Sequence, residues 1–258
     1  MNSELARQAR EGQRLDFPLF DAHSHLGKWS NYDAIELADT LAEMDRIGVR
    51  VMALSGLPAL SGDIQQGNDA VADVVGRHPD RFIGYAHVNA NFPDLLRPEL
   101  ERCFAKPGFK GIKVYQLVVP YDDPSYEPVW EFAREHRAPV LAHTWAGDLT
   151  GLDRCAQRHP EVPFLAAHAG SELQYQPYID AAKKARNFHL DLTYSRNHAN
   201  LIEHFVKTVG VDQIVWGTDQ PLFSMAQQAS KVLFARIPDE DKKKILYTTA
   251  ARLFGLEK

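Results

Sequence analysis

Short apolar, β-branched or aromatic runs recur along the whole chain. They lie at Phe17–Asp21, Val49–Leu54, Phe82–His87, Gly111–Tyr115, Pro139–Ala142, Pro163–Ala167, Phe188–Leu192 and Gln213–Trp216. Each is nearly continuous in apolar residues, as in parallel strands whose outer face is covered. Between the runs, apolar positions follow a helical spacing. Ile35, Leu37, Leu41, Met44 and Ile47 form one such set, Ala70, Val71, Val74 and Val75 a second, Val129, Trp130, Phe132 and Ala133 a third, and Leu201, Ile202, Phe205, Val206 and Val209 a fourth. The punctuation agrees. Gly48 separates a helix from a strand, where a left-handed C′ residue belongs, and Asp123 precedes Pro124 at a helix start. His78-Pro79 and His159-Pro160 end helices just before the third and sixth runs.

Eight strand–helix units in 258 residues predict an α/β protein, a single-domain (β/α)8 TIM barrel. The barrel is expected over residues 17–258, after an N-terminal extension over 1–16, with Asp239–Phe254 as the closing helix. The competing architecture is an open doubly wound sheet. That fold commonly carries a glycine-rich phosphate loop after its first strand, and here His23-Ser24-His25 holds the place.

Composition narrows the function class. The chain is 45% hydrophobic and 24% charged, with 29 Lys and Arg against 34 Asp and Glu, for a net charge of −5. The charges are well mixed, without the basic footprint of a nucleic-acid binder or a polybasic membrane anchor. Met1 to Arg14 contains no apolar signal-like stretch, and no later run approaches the ~18 apolar residues of a membrane span. Cys103 and Cys155 are the two cysteines and form no CxxC pair. The expectation is a cytoplasmic protein with reduced thiols that acts on a small molecule.

Barrel active sites lie at the C-terminal ends of the strands. His23 and His25 end the first run, and their i, i+2 spacing puts both imidazoles on one face with Ser24 on the other. His143 follows the fifth run, His168 the sixth and Asp219 the eighth. A lone histidine at a strand end is more often a satisfied structural residue. Five ligand-type side chains that a closed barrel brings to one mouth point instead to a divalent metal centre.

The chain resembles the amidohydrolase superfamily, specifically the amidohydrolase-related branch that includes aminocarboxymuconate-semialdehyde decarboxylase. The resemblance rests on Asp21-Ala22-His23-Ser24-His25, Gly108–Lys113, Val140–His143, Ala167–Gly170, Trp216–Pro221 and Lys244–Leu256. In the last segment Thr249 stands where the family usually has Asn. The resemblance implies one divalent metal ion, usually Zn2+ with Mn2+ as the alternative, bound by His23, His25, His143 and Asp219. It implies that His168 stands beside the metal as a catalytic group, with Asp219 as proton carrier. The branch often forms dimers, so a homodimer is the expected assembly if there is one. Binuclear members of the wider superfamily bridge two metals through a carboxylated lysine on strand 4. Lys113 lies two residues before the strand end expected here, and a single metal is preferred.

Substrate contacts are expected from residues after the strands: Trp29 and Tyr32, Tyr115 and Gln116, Trp145, and Tyr194 and Arg196. Arg196 is the candidate partner for a substrate carboxylate. His87 and Asn89 share the i, i+2 pattern after strand 3, whereas His78, His136, His159, His189, His198 and His204 read as helix-end or surface residues. The leading functional expectation is hydrolysis of a small carboxylate-bearing lactone, ester or amide by metal-bound hydroxide. The alternative is non-oxidative decarboxylation of an aromatic or unsaturated acid, which the same residues support. A non-catalytic binding barrel ranks last, because every ligand position is filled.

Overall fold

The apolar runs become eight parallel strands in sequential order, β1 (Leu19–Leu26), β2 (Val49–Gly56), β3 (Phe82–Val88), β4 (Phe109–Val114), β5 (Val140–Ala142), β6 (Phe164–Ala166), β7 (Phe188–Asp191) and β8 (Ile214–Val215). This computed structural model describes residues 3–28, 35–116, 118–194 and 198–257. Helices lie between the strands, as the (β/α)8 reading predicts. The seam between β1 and β8 is stitched beyond the formal strand ends. Ala22 N–H donates to Trp216 O (3.0 Å), Thr218 and Asp219 N–H to His23 O (3.1 and 2.7 Å), and His25 N–H to Gln220 O (2.7 Å). Asp21 pins the same seam. Its carboxylate accepts the Thr218 N–H (2.9 Å), the Thr218 hydroxyl (2.5 Å) and the Ser24 hydroxyl (3.1 Å).

Two apolar layers result from the alternation of strand side chains. Ile112, Val114, Val140, Ala142, Ile214 and Trp216 join the helices in the outer layer. Phe20, Ala22, Tyr85, Leu141, Leu165 and Val215 form the inner one. The closing helix plugs the end opposite the site: Phe254 stacks on Phe20 (5.3 Å between centroids) and meets Tyr85 edge-on (5.6 Å). That helix is continuous from Asp239 to Leu253 but widens to a π-turn over Lys244–Thr248, which its apolar pattern does not signal. Gly48 ends the helix Leu37–Ile47 in the left-handed region (φ 91°), and its carbonyl accepts the Leu19 N–H that starts β1.

The N-terminal segment carries its own helix, Glu4–Arg10. The Asp239 carboxylate holds it by accepting the N–H groups of Glu4 and Leu5 (2.8 and 3.2 Å), which caps one helix from the start of another. Both cysteines are buried and unpaired, as expected. Among the described residues no helix is long and apolar enough to cross a membrane.

Candidate metal centre and active site

β1 runs five residues past the expected Asp21, to Leu26, and carries the histidine pair inside the strand. Between Asp21 and Ser24 it takes three steps while β2 takes two, from Met52 to Leu54. This bulge resets the alternation. Phe20 and Ala22 face the barrel interior before it, and His23 and His25 face the mouth after it. Ser24 turns to the opposite face and meets the Thr218 hydroxyl at 2.9 Å.

His23 and His25 are each fixed through Nδ1. His23 Nδ1 lies 2.6 Å from Asp191 Oδ2, and His25 Nδ1 lies 2.8 Å from Ser55 Oγ. With the proton on Nδ1, the Nε2 lone pairs point toward Asp219 Oδ1, at 3.5 Å from His23 and 2.9 Å from His25. One ligand atom from each of His23, His25 and Asp219 falls within 4.8 Å of the others. Two oriented imidazole nitrogens and a carboxylate oxygen, all buried, are the donor set a divalent cation requires. His143 and His168 are not part of that tight group but stand at the same cavity. Their rings are 5.0 Å apart, and His168 is 5.1 Å from the His23 ring.

His168 and Asp219 both adopt left-handed backbone conformations, φ 59° and 60°. Such conformations are uncommon outside glycine, cost of order 1 kcal/mol or more, and gather at functional sites. Here they turn each side chain off its strand end over the mouth. His168 is locked by Nδ1, which donates to Thr193 O at 2.6 Å.

Electrostatics follow burial. Desolvation, with the Lys113 charge and the neighbouring imidazoles, drives His23 well below its ordinary pKa; desolvation and the charges of His168 and Lys113 do the same to His143. Desolvation also lowers His168, against the pull of Asp219 and the Thr193 carbonyl. Burial pushes Asp219 upward, but the close His25 imidazole, with His168 and the Lys113 charge, outweighs it and holds the carboxyl below its usual value. Neutral imidazoles beside an ionised carboxylate are the protonation states that bind metal.

Sequence reasoning left Lys113 open, and its amine lies at the floor of the cavity, 3.4 Å from His23 Nε2. Desolvation lowers it to about 8. Opposite it in the β3–β4 register is His87, buried, held near 3 by desolvation, and without a partner at either ring nitrogen among the described residues. Asp191 and Ser55, which orient the two β1 histidines, went unremarked in the sequence. The available signal was an acid at the C-terminal end of the strand Phe188–Asp191. His189 is a correction: it is a buried residue of β7, not a helix-end one, because the strand alternation turns it inward with Asp191.

The cavity above the centre measures about 480 Å³ and is walled by Leu60, Tyr115, Trp145, Leu222 and Phe223. Tyr115 lies tilted against His143 (4.3 Å between centroids, 34° between planes), and Trp145 meets His168 (5.4 Å) and Tyr194 (5.0 Å) edge-on. Gln116 lines the cavity, though its side chain is engaged by Thr150 and Tyr121. Asn89 supports the wall from behind by donating to Tyr115 O (3.1 Å). Trp29, Tyr32 and Arg196 lie outside the described residues.

Fold and site together define a TIM barrel with a His–His–Asp group at the C-terminal mouth that could hold a cation. The chain belongs to the amidohydrolase family, whose model matches residues 20–256. It is similar to gamma-resorcylate decarboxylase of Rhizobium radiobacter, with 25% identity over 290 residues that cover 86% of this chain and 88% of the relative. The fold matches 2,6-dihydroxybenzoate decarboxylase from Rhizobium with a TM-score of 0.78 at 22% identity, covering 94% of this chain and 100% of that one. It also matches the dihydroxybenzoic acid decarboxylase of Polaromonas sp. JS666, solved with bound manganese and 2-nitroresorcinol, with a TM-score of 0.77 at 20% identity over 94% of this chain and 98% of that one. These relatives correct the leading functional expectation. They are decarboxylases of aromatic acids, so hydrolysis of a lactone, ester or amide gives way to the alternative, and the enzyme assignment stands.

Proposed function

We propose that this protein is a metal-dependent decarboxylase of a small aromatic acid. The observation that carries the reading is the convergence of His23, His25 and Asp219 beneath a cavity with aromatic and aliphatic walls. A flat, mostly apolar ring fits such walls, and its carboxylate would face the polar floor. The similarity to gamma-resorcylate decarboxylase over most of both chains supports the same reaction.

His23, His25 and Asp219 would hold the metal, with His143 as the fourth ligand from β5. Nitrogen and carboxylate donors in this number accept Zn2+ or Mn2+, and the manganese in the Polaromonas structure favours testing both. When bound, the ion supplies a fixed positive charge that orients the acid and stabilises negative charge on it. The remaining chemistry falls to side chains. Asp219, ionised at rest, first takes up a proton from solvent and then delivers it to the ring carbon that bears the carboxylate. The bond from that carbon to the carboxylate then breaks, its electron pair returns to the ring, and CO2 leaves. His168, held at Thr193 O through Nδ1, presents Nε2 to the substrate oxygens. Trp145 and Tyr115 would sandwich the ring. Trp29 and Arg196 are proposed contacts from their place in the sequence, with Arg196 meeting an anionic group.

The test is CO2 release from a panel of hydroxybenzoates by protein reconstituted with Mn2+ or Zn2+. Turnover that a chelator abolishes supports the proposal. A loaded protein that releases no CO2 from any member of the panel counts against it.

A further inference from the structure

We propose that Lys231, on the helix Met225–Leu233 outside the barrel, is a positioning residue that sets the orientation of His168 and His23 through the backbone where β7 ends. The inference rests on the roles given to those two histidines above. The Lys231 amine reaches under the β7 exit and donates to Leu192 O (2.7 Å) and to Tyr194 O. Among the described residues these two carbonyls are its hydrogen-bond partners. They flank Thr193, from which both histidines take their direction. The Thr193 carbonyl accepts from His168 Nδ1 at 2.6 Å. The Thr193 hydroxyl donates to Asp191 Oδ1 at 2.5 Å, and Asp191 Oδ2 accepts from His23 Nδ1 at 2.6 Å. One amine thus anchors the three-residue segment on which two site imidazoles depend.

The local backbone explains why a clamp is needed. β7 ends at Asp191, so the carbonyls of Leu192 and Tyr194 lie past the end of the ladder, and Lys231 takes both. An apolar side chain at 231 could pack the helix against the barrel equally well, but it could not hold two carbonyls at once. Placing an ammonium there instead costs desolvation. Tyr194 gains a second constraint from its hydroxyl, which donates to Glu172 at 2.5 Å, and its ring meets Trp145 at the cavity wall. The same clamp therefore fixes the aromatic rim as well as the two histidines.

The experiment uses the full chain with 15N-labelled histidine. It reads the His168 tautomer from long-range proton–nitrogen spectra, assigned by the signal lost in His168→Gln, and measures Mn2+ affinity by titration. Lys231→Met is expected to release His168 from its fixed Nδ1–H tautomer and to weaken Mn2+ binding by about 10- to 100-fold, the usual effect of disturbing groups that orient ligands. Thr193→Val removes the hydroxyl link and keeps the carbonyl, so it should weaken Mn2+ binding and leave the His168 tautomer intact. If Lys231→Met does not fold, Lys231→Gln, too short to span both carbonyls, replaces it with the same expectation. Unchanged tautomer and unchanged Mn2+ affinity in the folded variant, whatever its melting temperature, overturn the proposal. A wild-type protein that binds Mn2+ but releases no CO2 overturns the proposed reaction alone, because neither readout depends on turnover.

Discussion

Gly217 sits where β8 passes between His23 and Thr193, and replacing it by alanine tests how tightly the seam sets the metal centre. A Cβ at this position would lie 2.6 Å from His23 Cβ, 2.6 Å from Thr193 Oγ1 and 2.9 Å from the His23 amide nitrogen. Ordinary contact begins near 3.4 Å, so the strands must separate by about 0.8 Å (3.4 less 2.6). His23 cannot yield alone. Its carbonyl accepts the N–H groups of Thr218 and Asp219, and its ring is held by Asp191. The displacement therefore moves Asp219 relative to His23, two of the three clustered donors. Overpacking of this kind costs roughly 1–3 kcal/mol, or roughly 2–12 °C in melting temperature for a chain of this size. A misplacement near 1 Å costs catalysis about 100-fold. Gly217→Ala should therefore melt lower, bind Mn2+ more weakly and turn over more slowly, as thermal melts, Mn2+ titrations and rate assays would show. Gly76→Ala serves as control: nothing lies within 4 Å of its Cβ position in the helix Ile64–Arg77, and alanine there should stabilise by up to ~1 kcal/mol. A Gly217→Ala protein with wild-type melting and wild-type Mn2+ affinity would refute the argument.

Two further outcomes are expected. The double change His23→Ala with His25→Ala should abolish metal binding while circular dichroism stays near that of the parent, and metal retained at parental affinity would contradict the site. His189 is buried inside the barrel and held neutral, with its pKa lowered from 6.5 to about 4 by desolvation. The unfolded chain therefore takes up this proton first, and stability falls as pH drops from 6.5 toward 4, by about 3 kcal/mol at ~1.4 kcal/mol per unit. Denaturant melts of His189→Gln across that range should lack this slope, and an identical slope in both proteins would refute the assignment.

The legible part of the fold was the part written in continuous apolar runs. Val49–Leu54 and Phe82–His87 correspond to strands because both faces are covered, and the helical spacing around Leu37–Ile47 survives because one face packs on the sheet. The candidate ligands were legible for the same reason, since each follows such a run. What the sequence did not reveal depends on contacts between distant segments. The bulge at Asp21–Ser24 is defined only against β2, and the support of His25 by Ser55 only by strand pairing. For Lys113 the sequence left a bridging role and an ordinary one open, and alternation from Gly111 turns it inward toward His23. The choice of reaction was the least legible feature, because hydrolysis and decarboxylation use the same donors and differ in what the cavity holds above them.

The central claim is that the metal-loaded site protonates a ring carbon as CO2 departs. It is tested most directly by turnover of the hydroxybenzoate panel in D2O with Mn2+ bound. At least one member should give CO2 and the decarboxylated phenol in equal amounts, with one deuterium at the carbon that carried the carboxylate, and no product after chelation. Metal-loaded protein that yields neither product, yet hydrolyses a lactone or ester in a chelator-sensitive way, would contradict it.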